Sequence, residues 1–461
     1  IQFSVWSHGI CLPASCSSAE LERLFISESA THNPVCRIHR TNDAIPPSIM
    51  GGIFALCVLS GIADFFLSDY LSDRTISKGT LWRALMSFSL YSNVAAIFDT
   101  SGAKKDGQIG PIHCIRFFSM CWVVLGHLAG TIPGVVANPL DIVALTQDLT
   151  TEFIMNAFFS VDSFFFVGGL LSPSYFMMVF FFTFVYKQFY RNSPVNITLE
   201  NQSDSCRETW WLEFTYLHNI IDNDNQCLGY SWYLATDFQM FFFSPLIIIP
   251  LALKRILGLI VAAAIFAVSS ALNIFMVYHY HWPANPNMLG ATDPEMSGTE
   301  NYEVYMYYSP VTRCQVYIIG LLVGWLLQTK RRMRINPFIN ISLWLITFAL
   351  MLTLILGLHS QMTGDLIPIF WRALYSAFSK PAWALALSWI IIACYYGYGG
   401  PINSFMSWHV WLPLGRLSYC GYLVHFPLEM LILGGFRTSK PVEPETNLRK
   451  RSKSDVEGFE D

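Results

Sequence analysis

The sequence predicts an all-α protein: a polytopic bundle of about ten transmembrane helices that follows a small cysteine-containing segment outside the bilayer. Two observations indicate this fold class. The 461 residues are 53% hydrophobic and only 13% charged, whereas soluble proteins carry roughly a quarter charged residues. The apolar residues also gather in runs of roughly 20, the length that an α-helix needs to cross a bilayer. The formal net charge of −4 gives no indication of nucleic-acid binding.

Apolar runs bounded by Pro, Gly or charged residues define the predicted spans. They cover residues 47–67, 112–131, 153–171, 174–190, 231–252, 256–277, 310–328, 337–358, 379–397 and 413–434. We therefore expect an exterior segment over 1–45, a helix bundle over 46–435 and a charged tail over 436–461. The low complexity and charge of that tail predict that it is disordered.

Three basic clusters orient the predicted bundle. They lie at residues 104–105, 254–255 and 330–334, and counting crossings places all three on one side. Lys and Arg are enriched in cytoplasmic loops, so that side is predicted to be the cytoplasm. The N-terminal segment and the loop 191–230 are then exterior. Two glycosylation sequons in this loop, at Asn196 and Asn201, agree with that orientation.

Two regions leave the topology open. Residues 153–190 are almost entirely apolar and are interrupted only at residues 172–174. One long broken crossing there would place the sequons in the cytoplasm, so two crossings are favoured. The second region is the tail: ten spans from an exterior start leave 437–461 outside, although this segment carries four basic residues at 449–453. Either the last span does not cross, or one helix is absent.

The cysteines predict a disulfide outside the bilayer. Eleven cysteines are present, and five of them lie in polar segments: Cys11, Cys16, Cys36, Cys206 and Cys227. Cys206 and Cys227 are expected to pair across one exterior loop. Because five is an odd number, at least one exterior cysteine lacks a partner within this chain. The N-terminal three would then need a partner from an upstream segment, where a signal peptide or a further exterior domain is expected.

Ionisable groups inside a span are costly, so each one is a candidate functional residue. Arg116 and His127 are eleven residues apart in the second span, which places them on one helix face about 16 Å apart. Polar side chains in other spans are Asp162, Tyr233, Asp237, Arg313, Tyr317, Ser418, Tyr422 and His425. The alternative is a structural role: an interfacial Arg116, a packing His127, and an Asp237–Arg313 ion pair that holds helices in register. His279 and His281 lack further identifiable ligands, so no metal site is expected.

Several motifs resemble one family when they are taken together in chain order. Residues 8–17 resemble the end of the extracellular domain of nose-resistant-to-fluoxetine proteins. Residues 115–127, which run from an Ile-Arg-Phe-Phe-Ser to a Leu-Gly-His, resemble the first conserved helix of the membrane acyltransferase 3 family. Further matches lie at 161–166, 231–237, 313–324 and 416–425. The resemblance covers nearly the whole chain.

The resemblance implies a multi-pass bundle in the lipid bilayer that moves an acyl group from acyl-CoA to a hydroxyl of a lipid, sterol or glycan, without a metal. It implies that Arg116 and His127 take part in acyl transfer. Arg116 would meet CoA near the cytoplasmic face, and His127 would deprotonate an acceptor that enters from outside. The depth of the other polar residues in the membrane gives them further expected roles. Asp162 or Asp237 would orient the imidazole of His127, and Arg313 or Tyr317 would stabilise an oxyanion. The residues expected to bind substrate also include Ser418, Tyr422 and His425.

The chain departs from the family pattern in two places. Relatives have a Ser-Gly pair after the aromatic run and then a cytoplasmic loop with arginines; here Gly168-Gly169 stands instead, and 171–173 follow directly. A further terminal helix is also expected to be absent after His425. Two alternatives to an acyltransferase therefore stay open: a carrier for lipids or hydrophobic xenobiotics, and an inactive truncated isoform. Either the plasma membrane or an endomembrane is expected to hold the protein.

Overall fold

The structure is a computed structural model that describes residues 45–71, 79–101, 109–134, 136, 146–167, 178–179, 181, 197–221, 225–284, 286 and 290–434. The N-terminal exterior segment with its three cysteines and the charged tail lie outside these residues, as do Asn196 and the 168–177 stretch that departs from the family pattern. Asn201 lies on a described helix, although its side chain is not described.

The regular secondary structure of the described residues is helical, and no β-strand occurs among them. In chain order the α-helices are α1 (Ile45–Leu71), α2 (Thr80–Met86), α3 (Leu90–Phe98), α4 (Gly110–Thr131), α5 (Glu152–Met155), α6 (Phe158–Val167), α7 (Ile197–Thr215), α8 (Trp232–Phe243), α9 (Pro245–Leu253), α10 (Arg255–Tyr280), α11 (Pro310–Thr329), α12 (Pro337–Leu356), α13 (His359–Met362), α14 (Ile369–Tyr395), α15 (Gly400–Met406) and α16 (Trp411–Gly434). A short π-helix, Glu303–Tyr307, directly precedes α11.

The predicted all-α membrane bundle is confirmed. Six helical segments of the described chain are long and apolar enough to cross a bilayer: Gly110–Thr131, Gly229–Leu253, Arg255–Tyr280, Thr299–Thr329, Pro337–Met362 and Ile369–Tyr395. Large apolar side chains on their outer faces stay exposed, as Phe338 does at 81%, because hydrocarbon rather than water surrounds them. The count of ten spans stays a prediction, since α1 and α6 have shorter apolar stretches and most of 174–190 is not described.

Helix α14 lies at the centre of the bundle. In its apolar stretch 72% of the residues are buried, against 22–50% in those of the other five candidate spans. Helix α14 packs on α6, α10, α11 and α12. The prediction that this span begins at residue 379 was wrong, because the helix begins at Ile369. Pro381 lies inside the helix, where packing by neighbouring helices tolerates a proline that would break an isolated one. Lys380 consequently lies in mid-helix and not at a span end.

Helices α4 and α16 pack side by side in the same direction. Gly415 touches the start of α4, since a Cβ on this glycine would lie 2.9 Å from Cα of His113. Farther along both helices, a hydrogen bond joins His127 to His425. A residue near the C-terminal end of α16 therefore lies near the C-terminal end of α4.

Arg416 fastens α16 to the short helix α3. Its Nη1 donates hydrogen bonds to the carbonyl oxygens of Ala96 at 2.6 Å, Ile97 at 2.9 Å and Asp99 at 2.8 Å. The last carbonyls of a helix have no partner within the helix and carry partial negative charge. The family motif residue Arg416 thus caps the end of α3.

A disulfide and a buried polar cluster hold the predicted exterior loop. The expected Cys206–Cys227 disulfide is present. Within the loop that it closes, Nδ1 of His218 lies 3.1 Å from Oε2 of Glu213. Nε2 of His218 also lies 3.1 Å from Oγ of Ser231, which follows the loop. This arrangement has the order of a nucleophilic triad. However, Ser231 is fully buried and its hydroxyl lies 2.6 Å from the carbonyl of Leu228, so we assign the cluster a structural role.

A second polar cluster holds the loop between α10 and α11. Arg372 at the start of α14 forms an ion pair with Asp293 and donates to the carbonyl of His281 at 2.9 Å. Nδ1 of His281 also lies 3.2 Å from Oδ2 of Asp293. Burial by itself raises the pKa of Asp293, but hydrogen bonds from the N–H of Glu295, from Arg372 and from His281 lower it to about 2.

We expect Asp293→Asn to lower the apparent melting temperature at neutral pH, by an amount that corresponds to about 1–3 kcal/mol. The carboxylate stabilises the fold fully above its unfolded pKa of about 3.9, and this contribution is lost as pH falls toward 2. Thermal unfolding of both proteins between pH 7 and pH 2.5 should therefore show a difference that shrinks on acidification. Asp365→Asn, at an exposed position in a neighbouring turn, is the control. A difference independent of pH would contradict this explanation.

Candidate active site

The predicted residues His127 and His425 meet between α4 and α16. Nδ1 of His127 lies 2.7 Å from Nε2 of His425, and the two ring planes differ by only 16°. Because these nitrogens are so close while the ring centroids are 4.9 Å apart, the rings meet edge to edge through a hydrogen bond. The partner that orients the predicted base is therefore a second imidazole.

The hydrogen bonds assign one proton arrangement to this pair when both rings are neutral. Nδ1 of His425 lies 2.5 Å from the carbonyl oxygen of Tyr422, which only accepts, so Nδ1 carries the hydrogen. Nε2 of the neutral His425 is then an acceptor, and Nδ1 of His127 must donate to it. Nε2 of His127 is left with its lone pair. The network thus presents one unprotonated nitrogen of His127 as a base.

Aromatic residues hold this pair in place. The hydroxyl of Tyr422 donates to the carbonyl of Tyr230 at 2.7 Å, and the hydroxyl of Tyr230 donates to the carbonyl of Leu423 at 2.8 Å. These reciprocal bonds fix α16 against the turn before α8. Phe426 packs edge-on against the ring of His127, with centroids 5.7 Å apart. Side chains locked by such bonds and contacts preorganise a site.

The structure brings further predicted residues together deeper along α4. The hydroxyl of Tyr233 lies within electrostatic range of Arg116, Asp237, Tyr317 and Tyr422, which come from different helices. Nε of Arg116 is buried, and its hydrogen has no acceptor among the described residues. A buried donor without an acceptor is costly, which is typical of a position that a ligand completes.

Ser418 does not extend this group. It lies on the same face of α16 as Tyr422 and is buried, but its hydroxyl donates to the carbonyl of Gly415 at 2.8 Å within its own helix. A serine hydroxyl has a single hydrogen to donate. The structure therefore gives Ser418 a partner within its own helix, and its role in binding substrate stays a prediction.

Asp162 and Arg313 form a separate buried ion pair. Nη1 of Arg313 donates to Oδ1 of Asp162 at 2.8 Å, and both side chains are 0% exposed. Nε of Arg313 donates to the carbonyl of Tyr307 at 2.6 Å, and the guanidinium lies 4.6 Å from the ring centroid of Tyr307 and 5.2 Å from that of Trp232. Cation–π contacts of this kind stabilise a desolvated guanidinium.

This pair corrects two expectations. The structural alternative paired Arg313 with Asp237, whereas Arg313 bonds to Asp162. Asp162 or Asp237 was expected to orient His127; Asp162 is instead held by Arg313, and Nδ1 of His127 bonds to His425. Depth along a helix does not reveal which helices adjoin, and α6, which carries Asp162, packs against α11 as well as against α4.

Helix α11 packs closely against α6 at Gly320. A Cβ on this glycine would lie 2.5 Å from the carbonyl oxygen of Phe166, so only a glycine permits this approach of the two helices.

The buried ionisable residues that sequence reasoning missed include Lys380 and Glu429. Lys380 lies within electrostatic range of both Asp162 and Arg313 and lines a small cavity together with Ser376 and Ser379. The signal was present, since Lys380 interrupts an apolar run, but the late start assigned to that span made it a terminal residue. Glu429 lies one helical turn after His425, on the buried stripe that holds Ser418 and Tyr422. Extending that stripe by one turn would have found it.

Comparison with known proteins gives the family. A family model described as an acyltransferase domain, that of the acyltransferase 3 family, matches residues 110–440. The chain is also similar to "Nose resistant to fluoxetine protein 6" of Caenorhabditis elegans, with 27% identity over a match that covers 95% of this chain and 61% of that relative. The chain thus spans less than two thirds of this relative's length. No solved structure matches. Together with its bundle of apolar helices, the match over residues 110–440 establishes that this chain belongs to the membrane acyltransferase 3 family.

Proposed function

We propose that this membrane acyltransferase uses acyl-CoA as donor and a hydroxyl as acceptor, with Nε2 of His127 as the general base. The observation that carries the proposal is the hydrogen-bond sequence from His127 through His425 to the carbonyl of Tyr422. It keeps Nε2 of His127 unprotonated, and it also stabilises the imidazolium that forms when this nitrogen accepts a proton.

Arg116 is proposed to hold the donor. It is on the same face of α4 as His127, about 16 Å nearer to the predicted cytoplasmic end. Its buried Nε has no acceptor within the part of the chain that the structure describes, and a guanidinium matches phosphate oxygens in charge and shape. CoA phosphates near Arg116 would let the extended pantetheine arm carry the thioester toward His127.

The proposed step conserves its protons and electrons. Nε2 of His127 accepts the proton of the acceptor hydroxyl while the hydroxyl oxygen attacks the thioester carbonyl. A C–O bond forms, and the tetrahedral intermediate then collapses as the C–S bond breaks. The CoA thiolate leaves and takes the proton back from His127, which restores the starting state. Tyr233, whose ring centroid lies 5.7 Å from that of Tyr422 beside His425, carries a hydroxyl suited to stabilising the oxyanion.

The test uses the full chain in nanodiscs with radiolabelled acetyl-CoA and a long-chain acyl-CoA. We expect the wild type to bind one of them and to release CoA, and Arg116→Ala to raise the KM for the donor at least tenfold because a phosphate contact is lost. Arg83→Ala on α2, an exposed arginine, is the matched control. A folded wild type that binds neither thioester would contradict the proposal. Uptake of a hydrophobic ligand by that same protein would favour a carrier instead.

A further inference from the structure

The loop that was predicted to be exterior extends down along the side of α8. Glu213, near the end of α7, accepts a hydrogen bond from Ser231, which directly precedes α8. Three residues later, the carbonyl oxygen of Tyr216 accepts a hydrogen bond from Nε2 of Gln239 at 2.7 Å. Gln239 lies about 12 Å further along the helix than Ser231. The chain therefore descends beside α8 after Glu213, toward the middle of the bilayer.

A pair of buried amides holds the lower part of this segment. Nδ2 of Asn219 donates to Oγ1 of Thr236 at 3.1 Å and to Oε1 of Gln239 at 3.2 Å. Oδ1 of Asn219 accepts from Nε2 of Gln239 at 2.9 Å. Non-helical backbone is tolerated at membrane depth only where the protein supplies its hydrogen bonds, because hydrocarbon offers none. Here Gln239 supplies one to the carbonyl of Tyr216.

The helical segment Gly229–Leu253 gives the depth of these contacts. It ends at the basic pair Lys254-Arg255, which is predicted to lie at the cytoplasmic face. Gln239 is then about 22 Å above Lys254, whereas the hydrocarbon core is about 30 Å thick. Gln239 thus lies about 8 Å inside the exterior boundary of the hydrocarbon, and a tilt of the helix would place it deeper. Ser231, about 34 Å above Lys254, lies just outside this boundary.

The side chains that this part of the chain turns outward are large and apolar. Ile220 is 54% exposed, Ile221 45% and Phe214 43%. Trp210 and Trp211, each 48% exposed, lie about one helical turn nearer to the exterior than Phe214. That is the level at which tryptophans gather at a membrane–water interface. Exposed apolar patches of this kind mark contact with a membrane or with another protein.

We propose that residues 216–221 re-enter the bilayer from the exterior, and that the outward side chains of residues 210–221 contact lipids of the exterior leaflet. Ile220 and Ile221 would lie among acyl chains, and the two tryptophans among headgroups. Depth favours lipid over a protein partner, because a surface inside the hydrocarbon layer meets lipid wherever the bundle leaves it uncovered. This inference does not depend on acyl transfer.

The contact also bears on the candidate active site. The same loop is closed by the Cys206–Cys227 disulfide and leads into Tyr230, whose hydroxyl donates to the carbonyl of Leu423 beside His425. The membrane would thus hold the loop against α16 in addition to its contacts with the bundle.

The test uses the full chain in nanodiscs made of a single phosphatidylcholine, with the photoreactive residue p-benzoylphenylalanine in place of Ile220. Illumination joins this residue to a neighbouring C–H bond, and mass spectrometry of the peptide identifies the adduct. Phe242 on α8, 66% exposed, is the lipid-facing control position. Glu300, exposed in the loop between α10 and α11, is the water-facing one. We expect a phosphatidylcholine adduct at position 220 within roughly threefold of the yield at 242 and at least tenfold above that at 300.

The substitution replaces one exposed apolar side chain by another, so the protein should fold, and monodisperse elution verifies this. A lipid adduct at position 220 no more abundant than at position 300 would show that the segment faces water, which overturns the inference. A cross-link between two chains would show that a second copy covers the patch. A cross-link within one chain would show that another segment of the protein covers it. Either cross-link as the main product also overturns the inference.

Discussion

Replacing His127 by alanine is expected to lower acyl transfer by about 10²–10⁴-fold, the usual contribution of a general base. The reason is that Nε2 of His127 is the nitrogen that the network leaves with its lone pair, and no other side chain bonded to the network can accept the proton from the same position. Donor binding should persist, because Arg116 lies about three helical turns away. Single-turnover measurements with radiolabelled acetyl-CoA separate donor binding from acyl transfer.

The matched control is His279→Ala, which removes an exposed histidine near the end of α10. His425→Phe is expected to cause a smaller loss than His127→Ala, since it removes the orienting partner and keeps the base itself. Unchanged turnover in His127→Ala would exclude the proposed base. Uptake of a hydrophobic ligand that persists in this variant without any turnover in the wild type would instead favour a carrier.

Asp162→Asn is expected to destabilise the bundle by about 3–5 kcal/mol, because it leaves a buried guanidinium without its counter-charge. Arg313 is fully buried and donates to Asp162 at 2.8 Å, so water cannot replace the carboxylate. Lys380, close to both, would add a second positive charge if protonated. The loss of stability is measured by thermal unfolding in nanodiscs, with the disappearance of the monodisperse peak as the readout.

The double variant Asp162→Asn/Arg313→Met tests the cause. Removing both charges of a buried pair is often nearly neutral, so this variant should recover most of the stability that the single substitution loses. Asp148→Asn, at an exposed turn, is the control for removal of a carboxylate. An Asp162→Asn protein as stable as the wild type, or a double variant as unstable as the single one, would contradict a structural ion pair.

The sequence by itself determined the membrane bundle, the pairing of Cys206 with Cys227 and the family. These features depend on local information: the length of apolar runs, the order of the motifs and the few cysteines in polar segments. It also placed Arg116 and His127 on one helix face, because residue spacing in a helix sets both direction and depth. The ends of the spans were less well determined by the sequence. Pro381 suggested a helix boundary, but it lies inside α14, where the surrounding helices make a proline tolerable.

The tertiary structure alone decided which polar groups pair. His127 bonds to a ring 298 residues away, and Arg313 to a carboxylate 151 residues away. Depth restricted each candidate to a layer of the bilayer but could not choose among the groups within that layer. That choice depends on which helices adjoin and which faces they turn to one another, and both follow from packing between segments far apart in the chain. For the same reason only the folded bundle shows that Glu429 is buried and that neither of its carboxyl oxygens accepts a hydrogen bond from the described residues.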